Sequence, residues 1–210
     1  AEAFRVESGR TVVPMEFAAF QSFFVVFPKL TKMNIGGTPM LRGTGVPPVI
    51  SNNFELTGAW TVKFDPAWGG PASIEFATLE DWTKRPEEGI RFYSGTATYL
   101  KRFNFERNQA GSGKVFLELG VVKNIAEVRL NRRALGVVWT APWRVEITAV
   151  VQPTDNRLEI DVVNLWPNRL LGDAALPPEQ RRTRTNIVID PKSPLLPSGL
   201  IGPVVVMREG

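Results

Sequence analysis

Four consecutive residues, Trp166, Pro167, Asn168 and Arg169, combine side chains whose chemistry suits sugar recognition. An indole ring can cover the apolar C–H face of a pyranose, while planar amide and guanidinium groups hydrogen-bond its hydroxyls. The alternative is structural, with Trp166 closing the end of a hydrophobic core and Arg169 pairing with Asp173. The residues alone do not decide between these two interpretations.

The sequence contains 6 tryptophans, and most of them fall at predicted strand ends or in loops. Trp60 is different, because it lies inside an alternating segment and is therefore predicted to be core. We expect at least two of the others to close the core as well. The candidate sugar-binding residues are Asp81, Trp82, Trp139, Trp143, Trp166, Asn168 and Arg169.

The absence of cysteine and histidine removes most catalytic chemistry from this chain. Ser-His-Asp and Cys-His catalysis and histidine-ligated zinc are excluded, so catalysis would have to rest on carboxylates, lysine or tyrosine. The candidate acid and base pairs are Glu80 with Asp81, Glu87 with Glu88, and Asp161 with Asp173. Because neighbouring acids in loops usually face solvent, we predict no catalytic residue and no metal ligand. No cofactor is predicted either, and calcium held by loop carboxylates is the alternative left open.

The formal net charge is +4 with a calculated pI near 9.6, but the basic residues are scattered along the chain. Arg181, Arg182 and Arg184 form the densest cluster, in a segment rich in proline that is typical of a solvated loop. We therefore predict no nucleic-acid partner, although a basic surface would suit an acidic polysaccharide. The longest apolar run, residues 23–27, is too short to span a membrane, so no membrane partner is predicted.

Residues 157–163 form the element that must position the sugar-binding candidates. Leu158, Ile160 and Val162 alternate with charged residues, which is the pattern of a half-buried strand. The alternation stops at Asn164, and residues 165–173 are predicted to be an exposed loop. A rigid strand would thus deliver the aromatic, amide and guanidinium groups to one end of a sheet.

Many other short segments share this strand pattern and are separated by turn signals. A single helical turn is predicted at residues 78–83, and Lys101 interrupts the apolar face of one segment, which indicates an edge or a bulge. The predicted strands are residues 4–6, 11–17, 21–27, 59–65, 73–79, 96–106, 114–119, 125–130, 135–139, 143–147, 157–163, 185–189 and 203–207. This spacing predicts an all-β fold, an antiparallel β-sandwich.

Three regions are predicted along the chain. Residues 1–30 are interpreted as the closing strands of a preceding β module, because residues 21–27 are apolar on both faces and need a partner sheet. Residues 31–50 are rich in glycine and proline and are predicted to be a linker. Residues 51–210 form the main sandwich. The chain opens with Ala1 and without signal-peptide features, so we expect it to be a piece of a longer protein.

The order of segments resembles a known domain. The runs GAWTVKF, LEDWTKRPEEGIRFYSGTATYLKRFNF, VFLELGVVKNIAEVRLNRRALGVVWTAPWRVEIT and NRLEIDVVNLWPNRLLGD are similar to the galactose-binding-like β-sandwich of large glycoside hydrolases. The broad pattern is shared with the sugar-binding domain of family 2 glycosidases. The endings NLWPNRLLGD and SPLLPSGLIGPV, with the opening FQSFFVVFPK, more specifically resemble family 106 α-L-rhamnosidases.

This resemblance implies a jelly-roll fold and a secreted or periplasmic parent enzyme that removes rhamnose from plant polysaccharides. In that family the acid and base are glutamates of a separate barrel domain, so the resemblance assigns no catalytic residue here. The expected partners are carbohydrate and the catalytic domain of the parent chain, and the expected role is non-catalytic binding or bracing of the barrel. A purely structural domain and a self-sufficient carboxylate glycosidase are the alternatives.

One departure from the family pattern concerns a hairpin. The family usually has Asn-Gly at this turn, whereas Asn131 is followed here by Arg132. Because glycine adopts positive φ angles without steric penalty, its replacement predicts either a different turn type or a strained residue.

Overall fold

The computed structural model describes residues 53–105, 113–190 and 192–209, and the backbone of residues 5–7 and 10–12. The chain divides into two compact units, residues 1–45 and 46–210. In the first unit, β1 (Arg5–Glu7) pairs antiparallel with β2 (Arg10–Val12). The strand predicted at residues 21–27 lies outside the described residues, and the predicted domain boundaries stay predictions.

The second unit is built mainly from short strands. They are β3 (Phe54–Glu55), β4 (Trp60–Lys63), β5 (Ile74–Phe76), β6 (Thr96–Phe103), β7 (Lys114–Glu118), β8 (Val121–Lys123), β9 (Ile125–Leu130), β10 (Arg133–Val138), β11 (Arg144–Glu146), β12 (Asn156–Val163), β13 (Gly199–Gly202) and β14 (Val205–Glu209). The helical elements are α1 (Glu88–Arg91), α2 (Pro167–Ala174) and the 3-10 turns Pro66–Trp68, Trp82–Lys84 and Pro178–Gln180.

These strands form two main sheets. A six-stranded sheet has the order β10-β9-β12-β6-β4-β5, and a four-stranded sheet has the order β11-β7-β14-β3. β13 and β8 form a further antiparallel pair. One continuous core contains buried side chains of both main sheets, such as Ile160 from the six-stranded sheet and Leu117 from the four-stranded sheet. The predicted antiparallel β-sandwich is confirmed.

The strand β12 forms as its alternation predicts, beginning one residue earlier than expected. Ile160 and Val162 are fully buried, and Leu158 is nearly so. Ile160 lies opposite Tyr99 of β6 on one side and Val128 of β9 on the other. Burying such side chains stabilises the fold by roughly 1.5–3 kcal/mol each, so the register of β12 is strongly fixed.

The interruption at Lys101 is explained by a local sheet edge. β4 pairs with β6 only as far as Leu100, so the side of β6 beyond that residue has no β4 partner. Lys101 Nζ instead donates hydrogen bonds to the backbone oxygens of Thr57 (2.6 Å) and Ala59 (2.7 Å). Burial of this ammonium group lowers its pKa. Of the two predicted explanations, the edge is correct.

The hairpin between β9 and β10 turns through Asn131 (φ 52°) and Arg132 (φ 68°). Two successive positive φ angles in a two-residue connection are the mark of a type I′ turn, so the turn type is kept and a strained arginine occupies the usual glycine position. Asn131 Nδ2 donates to Val150 O (2.8 Å), and its Oδ1 accepts from Arg157 N (2.8 Å). These bonds fix the asparagine in this conformation.

Replacing Arg132 with glycine should therefore stabilise the chain. Relief of the left-handed backbone strain is worth about 1 kcal/mol in the free energy of unfolding, which urea denaturation would measure. Asn131→Gly is the matched control and should destabilise the chain, because it removes hydrogen bonds from a residue that tolerates positive φ. An Arg132→Gly variant no more stable than the parent chain would contradict this account.

Three local predictions need correction. Residues 165–173 are mainly helical in α2 rather than an exposed loop, with Pro167 at the first helical position, where its fixed φ favours helix initiation. Residues 185–189 form no strand, and Val188 is 95% exposed, because their β-branched side chains find no partner sheet. The turn predicted at residues 78–83 is the 3-10 turn Trp82–Lys84.

Candidate functional site

The carboxyl end of β12 marks one end of the six-stranded sheet. Val163 lies opposite Thr96, the first residue of β6, and opposite Ile125, the first residue of β9. The last residue of β10, Val138, lies opposite Ala126. Since α2 follows β12 at this end of the sheet, we call this end the α2 end.

Large apolar side chains are exposed at the α2 end. Trp139, which follows β10, is 65% exposed, and Trp166, at the start of α2, is 51% exposed. We call the exposed set the apolar rim, and its members are Ile125, Val137, Trp139, Leu165 and Trp166. Scattered exposed apolar residues are ordinary, whereas their concentration at one end of a sheet indicates an interaction surface.

Trp166 also contacts a second tryptophan that the sequence analysis did not select. Its ring lies edge-on to that of Trp68, with centroids 5.3 Å apart and an interplanar angle of 75°. Trp68 ends the 3-10 turn Pro66–Trp68, which follows β4. This pairing brings together two rings separated by about a hundred residues, so no local sequence signal could have revealed it.

The amide of Asn168 faces the interior rather than solvent. Its Nδ2 donates to Leu196 O (2.7 Å) and Ser198 Oγ (3.0 Å), and its Oδ1 accepts from Leu196 N (2.8 Å). Asn164 joins the same network by donating to Tyr93 O (2.8 Å) and Ser198 Oγ (3.2 Å). Asn168 is 1% exposed, so it ties α2 to the 196–198 segment and presents no group to a sugar.

Asp81 and Trp82 have structural roles as well. Asp81 Oδ1 accepts hydrogen bonds from Thr83 N and Ser198 N, both at 3.0 Å. The ring of Trp82 is fully buried, and its Nε1 donates to the Tyr99 hydroxyl at 2.6 Å. Burial raises the pKa of Tyr99, so the phenol stays protonated. A sugar-stacking ring must be exposed, and Trp82 does not meet that requirement.

Arg169 is buried beside Asp173, as the structural alternative predicted. The two side chains are 5% and 2% exposed, and Arg169 Nη1 lies 3.4 Å from Asp173 Oδ1. Asp173 Oδ2 also accepts from the backbone N (2.7 Å) and Oγ1 (2.6 Å) of Thr183. This carboxylate therefore holds α2 against the segment that follows it, and the guanidinium is not displayed to a ligand.

The remaining candidate, Trp143, is partly buried against the core. Its backbone oxygen accepts from Leu119 N, next to the four-stranded sheet. Of the seven sequence-predicted residues, Trp139 and Trp166 thus have the exposure that sugar stacking needs. The alternation of residues 157–163 predicted where this end of the sheet lies. The inward position of the Asn168 side chain depends on Leu196 and Ser198, which are distant in sequence.

The candidate acids are mostly engaged in ion pairs. Arg85 binds both Glu80 (2.8 Å) and Glu87 (2.7 Å), and its hydrogen bond holds the pKa of Glu87 below the ordinary value. A general acid needs the opposite shift. Asp161 pairs with Arg129 at 2.6 Å.

The described residues contain neither a cluster of metal ligands nor a membrane-spanning helix. Within residues 53–105, 113–190 and 192–209, no group of three or more acidic side chains could hold a metal ion. The calcium alternative stays a prediction. No helix in the described part of the chain is long and apolar enough to cross a membrane.

Comparison with known proteins places this geometry in a family. Residues 80–187 match the family model described as glycosyl hydrolase 2 galactose-binding domain-like. The chain is 37% identical to the solved rhamnosidase from Novosphingobium sp. PP1Y, with a TM-score of 0.70, covering 82% of this chain and 16% of that one. It is also 36% identical over 176 residues to a putative beta-glucuronidase of Formosa agariphila, covering 72% of this chain and 15% of that protein.

A more distant structure shares the fold. The FMN-binding beta-glucuronidase from Faecalibacterium prausnitzii L2-6 is 18% identical, with a TM-score of 0.51 over 75% of this chain and 22% of that one. The chain thus spans roughly a sixth of the length of the first two relatives. The family match confirms the resemblance drawn from the segment order, and the chain belongs to the glycosyl hydrolase 2 galactose-binding domain-like family.

Proposed function

We propose that this chain is a non-catalytic module of a larger secreted or periplasmic glycoside hydrolase acting on rhamnose-containing plant polysaccharide, and that its α2 end docks on another domain of that enzyme. The similarity to a rhamnosidase supports the substrate class. The apolar rim is the single observation that carries the docking role.

The apolar rim favours docking over sugar binding because the polar side chains next to Trp166 in the sequence are buried. A sugar site needs convergent polar groups next to its stacking ring. Here the polar side chains that flank Trp166 in the sequence, those of Asn164, Asn168 and Arg169, are buried. An exposed apolar surface with its polar neighbours turned inward suits contact with a protein surface.

The non-catalytic role is supported by the state of the carboxylates. Glu80 and Glu87 share Arg85, and Asp173 holds Thr183 and Arg169. A catalytic pair needs one acid protonated near neutral pH and one base free to act. The candidate acids Glu80, Glu87, Asp161 and Asp173 instead pair with arginine side chains.

The docking role predicts that removal of the rim tryptophans affects the whole enzyme and spares the isolated chain. Trp139→Ala with Trp166→Ala should change the unfolding free energy of the 210-residue chain by about 1–2 kcal/mol at most, because both rings are exposed. In the full-length enzyme the same pair should lower the melting temperature and admit protease between this module and its neighbour. Calorimetry and limited proteolysis measure these effects.

Val188→Ala is the matched control, since it truncates an exposed apolar side chain outside the rim. This variant should leave the stability of the isolated chain unchanged, and also the melting temperature and protease resistance of the full-length enzyme. If the rim variants behave alike in the enzyme and in the isolated chain, docking is refuted. If the isolated chain binds neutral rhamnose-containing oligosaccharides and loses them when Trp139 or Trp166 is removed, the rim is a sugar site instead.

A further inference from the structure

The outward face of the six-stranded sheet changes character along its strands. At the end farthest from α2, Arg157 of β12 lies directly opposite Arg102 of β6. The next row across the strands contains Arg129, Glu159, Leu100 and Thr61. The following row contains Glu127, Asp161, Thr98 and Lys63. The face therefore runs from basic residues, through paired charges, to the apolar rim.

The basic end combines arginines without enough carboxylates to neutralise them. Like charges directly opposite each other on a sheet are destabilising, yet Arg102 and Arg157 are placed in this way. Asp155 bridges them, with Oδ1 3.0 Å from Arg102 Nη1 and Oδ2 3.4 Å from Arg157 Nη2. Arg132, exposed in the adjacent turn, makes no ion pair within the described ranges. Three guanidinium groups thus face one carboxylate.

In the neighbouring row of side chains, ion pairs hold one arginine in place. Arg129 is held by Asp161 and Glu159, and its hydrogen bonds to them raise its pKa. Leu100 and Thr61 continue the row as apolar and hydroxyl-bearing side chains. Together with the basic end they line an open groove of about 580 Å³, whose main residues are Leu100, Arg102, Arg129, Arg132, Arg157 and Glu159. Glu159 is the carboxylate in this lining, and it is paired with Arg129.

We propose that this groove binds the carboxylates of an acidic polysaccharide, a chain of uronic acid units. The arginine fork matches a carboxylate in two parallel hydrogen bonds, which a neutral sugar does not exploit. Leu100 offers apolar contact to a pyranose ring, and the net charge of +4 steers a polyanion toward the molecule. That the anionic ligand is a glycan follows from the membership of the chain in a domain family of glycoside hydrolases.

This site is separate from the docking surface proposed above. The groove lies at one end of the six-stranded sheet, and the apolar rim lies at the other. Variants of the arginines therefore test ligand binding, and variants of Trp139 and Trp166 test docking. Failure of one proposal leaves the other standing.

The test is calorimetric titration of the 210-residue chain with oligogalacturonate. Arg102→Gln with Arg157→Gln should weaken binding by about tenfold or more, the effect of losing a charge-assisted pair of hydrogen bonds. Lys63→Gln with Lys84→Gln is the matched control, because it removes the same charge from exposed positions outside the groove. The control should change the affinity by no more than about twofold, from reduced steering alone.

Asp155→Asn should increase the affinity for oligogalacturonate, a result that a purely structural role of the arginines would not produce. It removes the carboxylate that competes with the ligand for Arg102 and Arg157, so binding should become about threefold tighter or more. Asparagine tolerates the φ of 51° at this position, and urea denaturation checks that the fold is kept. Methyl-esterified oligogalacturonate should bind far more weakly than the free acid.

Three results would overturn the proposal. The first is no binding of oligogalacturonate by the parent chain. The second is equal loss in the arginine and lysine variants, which would indicate long-range charge alone. The third is binding of single-stranded DNA of matched charge as tightly as oligogalacturonate, which would make the groove a general polyanion surface.

Discussion

Trp82→Ala is expected to destabilise the isolated chain by about 3–5 kcal/mol, whereas Trp166→Ala should lower its stability by only about 1 kcal/mol. The Trp82 ring is fully buried, and its truncation leaves a cavity and removes one of the two hydrogen bonds that the Tyr99 hydroxyl accepts, the other coming from Leu200 N. Trp166 is half exposed and loses mainly its edge contact with Trp68. Urea denaturation of the two variants measures the difference.

Trp82→Phe separates the two contributions at that position. It keeps most of the buried volume but removes the Nε1–H that donates to Tyr99, so we expect an intermediate loss of about 1–3 kcal/mol. Equal destabilisation by Trp82→Ala and Trp166→Ala would show that the Trp166 ring is a core element. The docking role of the apolar rim would then lose its basis.

The contrast between these tryptophans shows what the sequence can and cannot predict. The alternation of residues 157–163 is local, so it predicted β12 and the end of the sheet where the candidates lie. Whether a tryptophan beside a strand end is buried depends on which distant segment covers it. Trp82 is covered by residues 198–200, whose approach to it no local pattern encodes.

The same distinction applies to the helix α2 and the outward sheet face. The helix spans only eight residues, and its interior anchors are Asn168 on Ser198 and Asp173 on Thr183, which join residues 30 and 10 positions apart. On the sheet, alternation predicted that Arg157 faces outward, but its pairing with Arg102 depends on the register between β12 and β6. The binding proposed for this face therefore depends on side chains that are far apart in the sequence.

The second large effect concerns the buried pair of Arg169 and Asp173. Asp173→Ala is expected to destabilise the chain by about 3–5 kcal/mol, because it leaves an uncompensated guanidinium in the interior. Arg169 is 5% exposed, and its Nε has no partner among the described residues. The substitution also releases the backbone N and Oγ1 of Thr183, which anchor the segment after α2.

Arg169→Met should be milder than Asp173→Ala, at about 1–3 kcal/mol, because Asp173 keeps its two hydrogen bonds from Thr183 when the arginine is lost. The double variant Arg169→Met with Asp173→Ala should then be more stable than Asp173→Ala alone, since no buried charge remains unpaired. Thr183→Val removes the Oγ1 donor and so measures what the hydrogen bond to Asp173 contributes to the unfolding free energy, expected to be about 1 kcal/mol. Urea denaturation of the parent chain, the two single variants and the double variant completes the cycle, and strict additivity of the two single changes would show that the pair is not coupled.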